Sequence, residues 1–232
     1  MRQPADPEWS AALAALDDSG YAVLPGLLDG ACCRELAALY DDDSAFRSRI
    51  VMARHNFGRG EYKYLRYELP DKVAALRAAL YPRLAPLANE WHRRLRLEPR
   101  FPPDLDAFLA RCHEAGQRRP TPLILKYGEG DYNCLHQDLY GEHVFPMQAT
   151  VLLSAPGDDF TGGEFVMIEQ RTRMQSRAEI VPLGLGDAVV FAVNYRPVSG
   201  TRGDYRVAMR HGVSRLRRGR RFTLGVIFHD AA

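Results

Sequence analysis

The stretch NCLHQDLYG, residues 133–141, sets a histidine and an aspartate one residue apart, just after an apolar leucine. On a β-strand, residues two apart point to the same face. His136 and Asp138 would then offer an imidazole and a carboxylate side by side, a clamp for a divalent metal ion. A third donor is needed, and His211, at the head of HGVSRL, would bring a second imidazole from a late strand lying across a barrel from the first pair. Two histidines and one carboxylate fill one face of an octahedron and leave open positions, which suits non-haem Fe(II) and oxygen chemistry. Zinc accepts the same donors, so ligand type alone does not choose the metal. An isolated H-x-D is a weak signal, because a histidine or aspartate at a strand end is usually solvated or capping. Two neighbours give it weight: Tyr127, nine residues before His136, and Arg221, ten residues after His211 beyond the turn RRGR.

Such donors need stiff elements to hold them, and the second half of the chain has the pattern of β structure. After GQRRPTP, short β-rich runs alternate with Gly, Pro and Asp, and strands are expected near 123–127, 134–139, 144–153, 163–169, 178–183, 187–194, 206–215 and 221–229. The first half reads mainly as helix. Trp9, Leu13 and Leu16 share one face of a short helix that Asp18-Ser19-Gly20 would end; YAVLPGLL reads as extended; and Asp29 can cap a helix carrying Leu36, Leu39 and Tyr40. Val73, Leu76, Leu80, Leu84, Leu87 and Trp91 recur at helical spacing, although Pro82 and Pro86 must kink or interrupt that helix. A further helix is expected over 104–114. Between these, RSRIVMARHNFGRGEYKYLRYELP has no clean period and reads as a loop with a strand or hairpin. Helices first and then about eight short strands indicate an α+β chain whose second half is a sandwich or barrel.

With 232 residues, 46% hydrophobic and 26% charged, the chain can build one substantial core. The net charge of +2 is too small to argue for nucleic acid or membrane, since phosphate binding needs a concentrated basic surface. Only Lys63, Lys72 and Lys126 of the 31 basic residues are lysines, an arginine excess that genomic base composition explains as well as phosphate recognition does. Cys32, Cys33, Cys112 and Cys134 form no C-x-x-C pair, so reduced thiols are expected. The start MRQPADPEWSAALAALDDSG lacks the pattern of a secretory signal and no window approaches the length of a membrane span, so a cytoplasmic location is expected.

KYGEGDYNCLHQD, FTGGEF, GDAVVF and RHGVSRLRRGRRFTLGVIF, taken in order, resemble the Fe(II)/2-oxoglutarate-dependent dioxygenases over residues 123–229. The ordered set is more specific than any of its members. The resemblance implies a double-stranded β-helix, a jelly roll of two facing sheets with iron at one open end and N-terminal helices packed on it. It implies that His136, Asp138 and His211 ligate Fe(II), that Arg221 holds the distal carboxylate of 2-oxoglutarate in its planar fork, and that Tyr127 donates its hydroxyl to the same cosubstrate. Thr223 shares the face of Arg221 by strand alternation and could add a hydrogen bond, although a plain β-former explains it equally well. The implied reaction consumes O2 and 2-oxoglutarate, forms succinate and hydroxylates a substrate; hydroxylation of an N-methyl group releases formaldehyde and amounts to demethylation. Against this stands a metal-binding or sensory module without turnover, which would have no need of a carboxylate clamp.

Within that superfamily the motifs point two ways. LHQD with Tyr127 is similar to the alkylation-repair demethylases of the AlkB type, whereas the His211-to-Arg221 spacing, Gly162-Gly163-Glu164 and GDAVVF look like the prolyl-hydroxylase branch. The second arginine of AlkB-type enzymes is replaced here by Ile227, and Leu125 stands where they have an asparagine. Over nearly all the chain beyond residue 50, RHNFGRGEYKYL, GQRRPTPL, GDYNCLHQDLYGE, FTGGEF and RMQSRAE resemble a bacterial oxygenase family described as acting oxidatively on damaged, methylated DNA. Arg54, His55, Asn56, Arg59, Tyr62, Lys63, Tyr64 and Arg66 interleave donors with aromatics, as would suit phosphate contacts and stacking on an extruded base, and a lid over the barrel mouth would look the same. Arg215, Arg217, Arg218 and Arg220 add charge, and Asn133, Gln137, Tyr140 and Glu164 could line the mouth. The expectation is one dioxygenase domain over 1–232. Residues 1–120 are its mainly helical part with a candidate substrate lid at 54–66, and 121–232 are its jelly-roll core. The expected partners are 2-oxoglutarate and methylated single-stranded nucleic acid or, alternatively, a peptide or small molecule, with no membrane.

Overall fold

The computed structural model describes residues 1–98, 100–139 and 141–232. Among them, two antiparallel sheets face one another. The seven-stranded sheet runs β1 (Tyr21–Leu24), β11 (Ala188–Ala192), β7 (Met147–Leu152), β15 (Arg221–Val226), β5 (Leu123–Tyr127), β4 (Glu61–Leu65) and β2 (Phe46–Val51). Opposite it lies the six-stranded sheet: β10 (Arg177–Val181), β9 (Phe165–Gln170), β13 (Gly203–Val213), β6 (Tyr132–His136) and β3 (Gly58–Arg59), with β12 (Tyr195–Gly200) paired to β13. A small pair, β8 (Phe160–Gly162) with β14 (Leu216–Gly219), completes the β structure. The sheets meet face to face where Phe165 of β9 packs on Phe191 of β11, ring centroids 5.0 Å apart.

Four α-helices, α1 (Asp6–Ser19), α2 (Gly30–Ala38), α3 (Asp71–Leu95) and α4 (Leu105–Glu114), share one core with the larger sheet: Leu16, Leu36, Leu80 and Phe108 belong to the same buried cluster as Met147, Ala149 and Val151 of β7. Their ends follow the local chemistry. The Asp29 carboxylate accepts the Cys32 N–H at 2.9 Å and Asp104 accepts the Ala107 N–H at 2.8 Å, while α1 stops at Gly20, whose φ of 79° suits a residue without a side chain. Of the kink or interruption expected at Pro82 and Pro86, the interruption does not occur, because α3 runs through both. Each interior proline costs about 3 kcal/mol, yet burying Val73, Leu76, Leu80, Leu84 and Trp91 returns roughly 2 kcal/mol per side chain, so packing wins.

Eight expected strands in the second half are present within a few residues, and β8, β12 and β14 are additional. β12 contains Pro197 and Gly200, which read as turn, and it survives as a strand because it pairs on one side only, with β13. The irregular stretch after residue 46 forms β2, β3 and β4. There the chain crosses between sheets: β3 pairs with β6 in the smaller one, and two residues later β4 pairs with β5 in the larger. Glycines make the crossing fit. A Cβ on Gly58, at φ 128°, would stand 2.4 Å from the Tyr132 carbonyl oxygen, and one on Gly60, at φ 112°, would stand 3.0 Å from the Tyr127 ring. No helix is long and apolar enough to cross a membrane among the described residues.

Candidate metal centre

His136 closes β6 and lies directly opposite His211 on β13, so a single cross-strand pair supplies both imidazoles, with ring centroids 4.2 Å apart. His211 therefore sits within the neighbouring strand of the same sheet, not at the head of a strand across a barrel. Strand register, which spacing does not reveal, makes the difference. Asp138 lies beyond the end of β6 and reaches the site as the backbone leaves the strand, not by strand alternation. One donor atom from each of the three side chains lies within 4.8 Å of the others. Asp138 Oδ1 is 3.5 Å from His136 Nε2, and Oδ2 is 3.4 Å from His211 Nε2.

The surroundings orient these donors. His136 Nδ1 lies 2.7 Å from the Cys134 carbonyl oxygen, an acceptor, so the proton belongs on Nδ1 and the Nε2 lone pair faces the centre. His211 is held between Phe165 and Phe191, at centroid distances of 5.9 and 4.6 Å. Burial alone would raise the Asp138 carboxyl, but hydrogen bonds and charge from His136 and His211 hold it well below the ordinary carboxylate range. Burial would lower His136, and Asp138 and the Cys134 carbonyl outweigh it, so its pKa is raised; His211, more deeply buried and beside His136, is lowered. The site thus carries an ionised carboxylate between two imidazoles before any ion enters.

Beside this cluster, β15 and β5 pair so that Arg221 lies opposite Tyr127 and Thr223 opposite Leu125. Arg221 is 1% exposed, and its Nε and Nη1 have no hydrogen-bond partner. Its guanidinium carbon stands 5.6 Å from the Tyr127 ring and 5.8 Å from the Phe160 ring. Burial pushes its pKa down to about 10, only partly opposed by Tyr127 and Glu164. A buried cation without a paired carboxylate costs several kcal/mol, a cost that the carboxylate of a ligand removes. Tyr127 is buried as well. Burial raises its hydroxyl against the opposing effects of Arg221 and Asn133, so it stays protonated and able to donate. Together with the two imidazoles and the carboxylate, these residues fit a divalent ion with a chelating dicarboxylate cosubstrate.

All six of these residues line one cavity of about 310 Å³. Phe57, Tyr62, Tyr64, Leu139 and Ile227 also line it, and of these Phe57 and Leu139 are exposed. Of the arginine-aromatic segment, Asn56, Tyr62 and Tyr64 reach the cavity, and Arg54, Arg59 and Arg66 are exposed. Lys63 turns inward, donating to the Tyr40 carbonyl at 2.7 Å and to Asp43 at 2.6 Å. Asn133 and Gln137 line the cavity; Glu164 does not, being engaged with Ser214 instead; Tyr140 lies outside the described residues. Gln148 and Phe57 are cavity residues that sequence reasoning missed. For Gln148 the signal is one amide inside the apolar run MQATVLL.

Two uncharacterized proteins of Mycobacterium tuberculosis strains are each 51% identical over 160 residues, 69% of this chain and 69% of each relative. A Pseudomonas putida prolyl-4-hydroxylase superposes with a TM-score of 0.56 at 16% identity, over 97% of this chain and 100% of that one. An oxidoreductase of the 2OG-Fe(II) oxygenase family from Burkholderia pseudomallei superposes with a TM-score of 0.52 at 15% identity, over 100% and 96% of the two chains. At such identities the likeness is one of fold. Residues 60–231 match the model of Oxygenase-NA, described as an oxygenase catalysing oxidative methylation of damaged DNA. The chain belongs to the Oxygenase-NA family and is accordingly an oxygenase, an oxidoreductase built on the fold of the 2-oxoglutarate–Fe(II) enzymes.

Proposed function

We propose that this oxygenase depends on Fe(II) and 2-oxoglutarate and removes methyl groups oxidatively from alkylated bases of single-stranded nucleic acid. In this reading the two facing sheets are a double-stranded β-helix. Residues 121–232 are the catalytic core of one domain, residues 54–66 lie over its mouth, and the protein works in the cytoplasm. His136, Asp138 and His211 hold Fe(II), while Arg221 takes the distal carboxylate of 2-oxoglutarate with Tyr127 and Thr223 beside it. The observation that carries the reading is the buried Arg221, unpaired within the protein and in the same cavity as three convergent metal donors.

The bound ion supplies O2 activation coupled to decarboxylation of the cosubstrate to succinate, leaving the protein to bind, orient and shield. Cys134 keeps the proton of His136 on Nδ1, away from the ion. Tyr127, held neutral, donates to the cosubstrate where an ionised phenolate would repel it. Leu123, Leu125, Val213 and Ile227 keep water out of the reacting volume. Phe57, Tyr62 and Tyr64 offer aromatic side chains to the cavity, suited to a flat base withdrawn from its strand. The family description supports the damaged-DNA substrate.

The test is succinate formation by the Fe(II)-loaded protein with 2-oxoglutarate and a methylated single-stranded oligonucleotide, set against its unmethylated twin. Stimulation by the methylated strand alone, with formaldehyde released, is the expected outcome. Equal slow turnover with both strands, and stimulation by a peptide instead, would replace demethylation by a prolyl-hydroxylase-like activity.

A further inference from the structure

Gln148 lies on β7 with 4% exposure, in a strand whose other side chains are apolar or threonine. Its Nε2 donates to Asp138 Oδ2 at 2.7 Å and stands 3.4 Å from His211 Nε2. Its Oε1 is buried and has no hydrogen-bond partner. Keeping an unsatisfied carbonyl inside a sheet is unfavourable, and a methionine or leucine would fill the place without that cost. The compensating gain must come through the other end of the amide, whose shortest contact is Asp138, with His211 Nε2 farther off at 3.4 Å.

We propose that Gln148 is a positioning residue for the metal-binding carboxylate, which rests on the reading that His136, Asp138 and His211 hold the ion. Asp138 follows the end of β6, outside the cross-strand pairing that joins His136 to His211. The two Asp138 oxygens are inequivalent: Oδ2 is held by Gln148 and faces His211, whereas Oδ1 faces His136. Engagement of Oδ2 by Gln148 would favour attachment of the ion through Oδ1. One-point attachment matters in a site of three protein donors, because a carboxylate chelating through both oxygens would occupy a position that the cosubstrate or O2 needs. The neutral amide does this without adding charge, as a lysine or arginine at the same place would.

Partners of this kind contribute 10- to 100-fold in metal affinity. In Q148L, which keeps volume and removes the donor, Mn(II), a redox-stable stand-in for Fe(II), should bind about 10- to 100-fold more weakly by paramagnetic-resonance titration. The metal-free protein should remain folded. Q148N keeps an amide one methylene too short to reach and should show the same loss, so the test survives if Q148L fails to fold. If Gln148 merely solvates a buried carboxylate, the metal-free variants will melt at lower temperature yet bind Mn(II) as tightly as wild type, and the proposal is overturned. If the wild-type protein itself binds no Mn(II), the metal site falls and Gln148 with it, an outcome distinct from equal binding by wild type and variants.

Discussion

Arg221 is a buried cation whose Nε and Nη1 the protein alone leaves without a partner. Replacing Arg221 with methionine, of similar length and no charge, removes both a cosubstrate anchor and an unfavourable buried charge. R221M should therefore lose more than about a hundredfold in 2-oxoglutarate affinity, the equivalent of 3–5 kcal/mol for a broken buried ion pair, while the ligand-free protein melts at a higher temperature than wild type. Calorimetric titration and thermal melting measure the two effects, and an R221M that binds 2-oxoglutarate normally would sink the clamp. The sequence picked out His136, Asp138, His211, Arg221 and Tyr127 by spacing that resembles a known family, and the structure brings the five into one cavity. Gln148 was not picked out, because it contacts Asp138 from another strand and glutamine carries no spacing signature. Asp138 does lie beside His136 and His211, but not by strand alternation, which stops at His136, where β6 ends.

Among the elements, the crossing at residues 58–61 ties one sheet to the other, with β3 in the smaller and β4 in the larger. The sequence announced aromatics, arginines and two glycines in this stretch but no period, because its strands are short and pair with partners distant along the chain. Its basic residues divide by contact. Lys63 is tied down inside, and Arg66 leans on the Ser44 carbonyl at 3.4 Å, whereas Arg54 and Arg59 are exposed. If the segment reads nucleic acid, R54A/R59A should weaken oligonucleotide binding and lower the slope of log affinity against log salt by about 1.4, two contacts at 0.7 each for a single strand, with 2-oxoglutarate binding unchanged. Fluorescence anisotropy across a salt series measures this, and an unaltered slope would remove both arginines from the interface. Helix α3 makes the opposite point: its two prolines overstate a break that a long buried stripe overrides, because propensity is local and burial is not.

For the whole molecule, stability in acid follows from the end of the chain. His229 is buried, its Nδ1 accepting the Phe145 N–H at 3.3 Å. Burial, with the Arg77 charge behind it, pushes its pKa down from 6.5 to about 4. The unfolded chain takes up that proton first as pH falls, so the stability involved is fully present above about 6.5 and is lost progressively toward 4, to about 3 kcal/mol. H229N keeps an acceptor without a titrating ring. Denaturant unfolding at several pH values should show it losing less stability than wild type across this window, and parallel curves would acquit the imidazole. The cross-strand placement of His136 and His211 has a consequence of another kind. Sliding β6 one residue along β13 would turn His136 to the opposite face, so only the native alignment can hold the ion. By reciprocity, occupancy must then hold the alignment, and the irregular step between His211 and Val213 is where slippage would begin. If His136 and His211 hold the ion as proposed, the metal works as a ratchet on the fold, and an oxygenase short of iron is also one whose strands are freer to mispair.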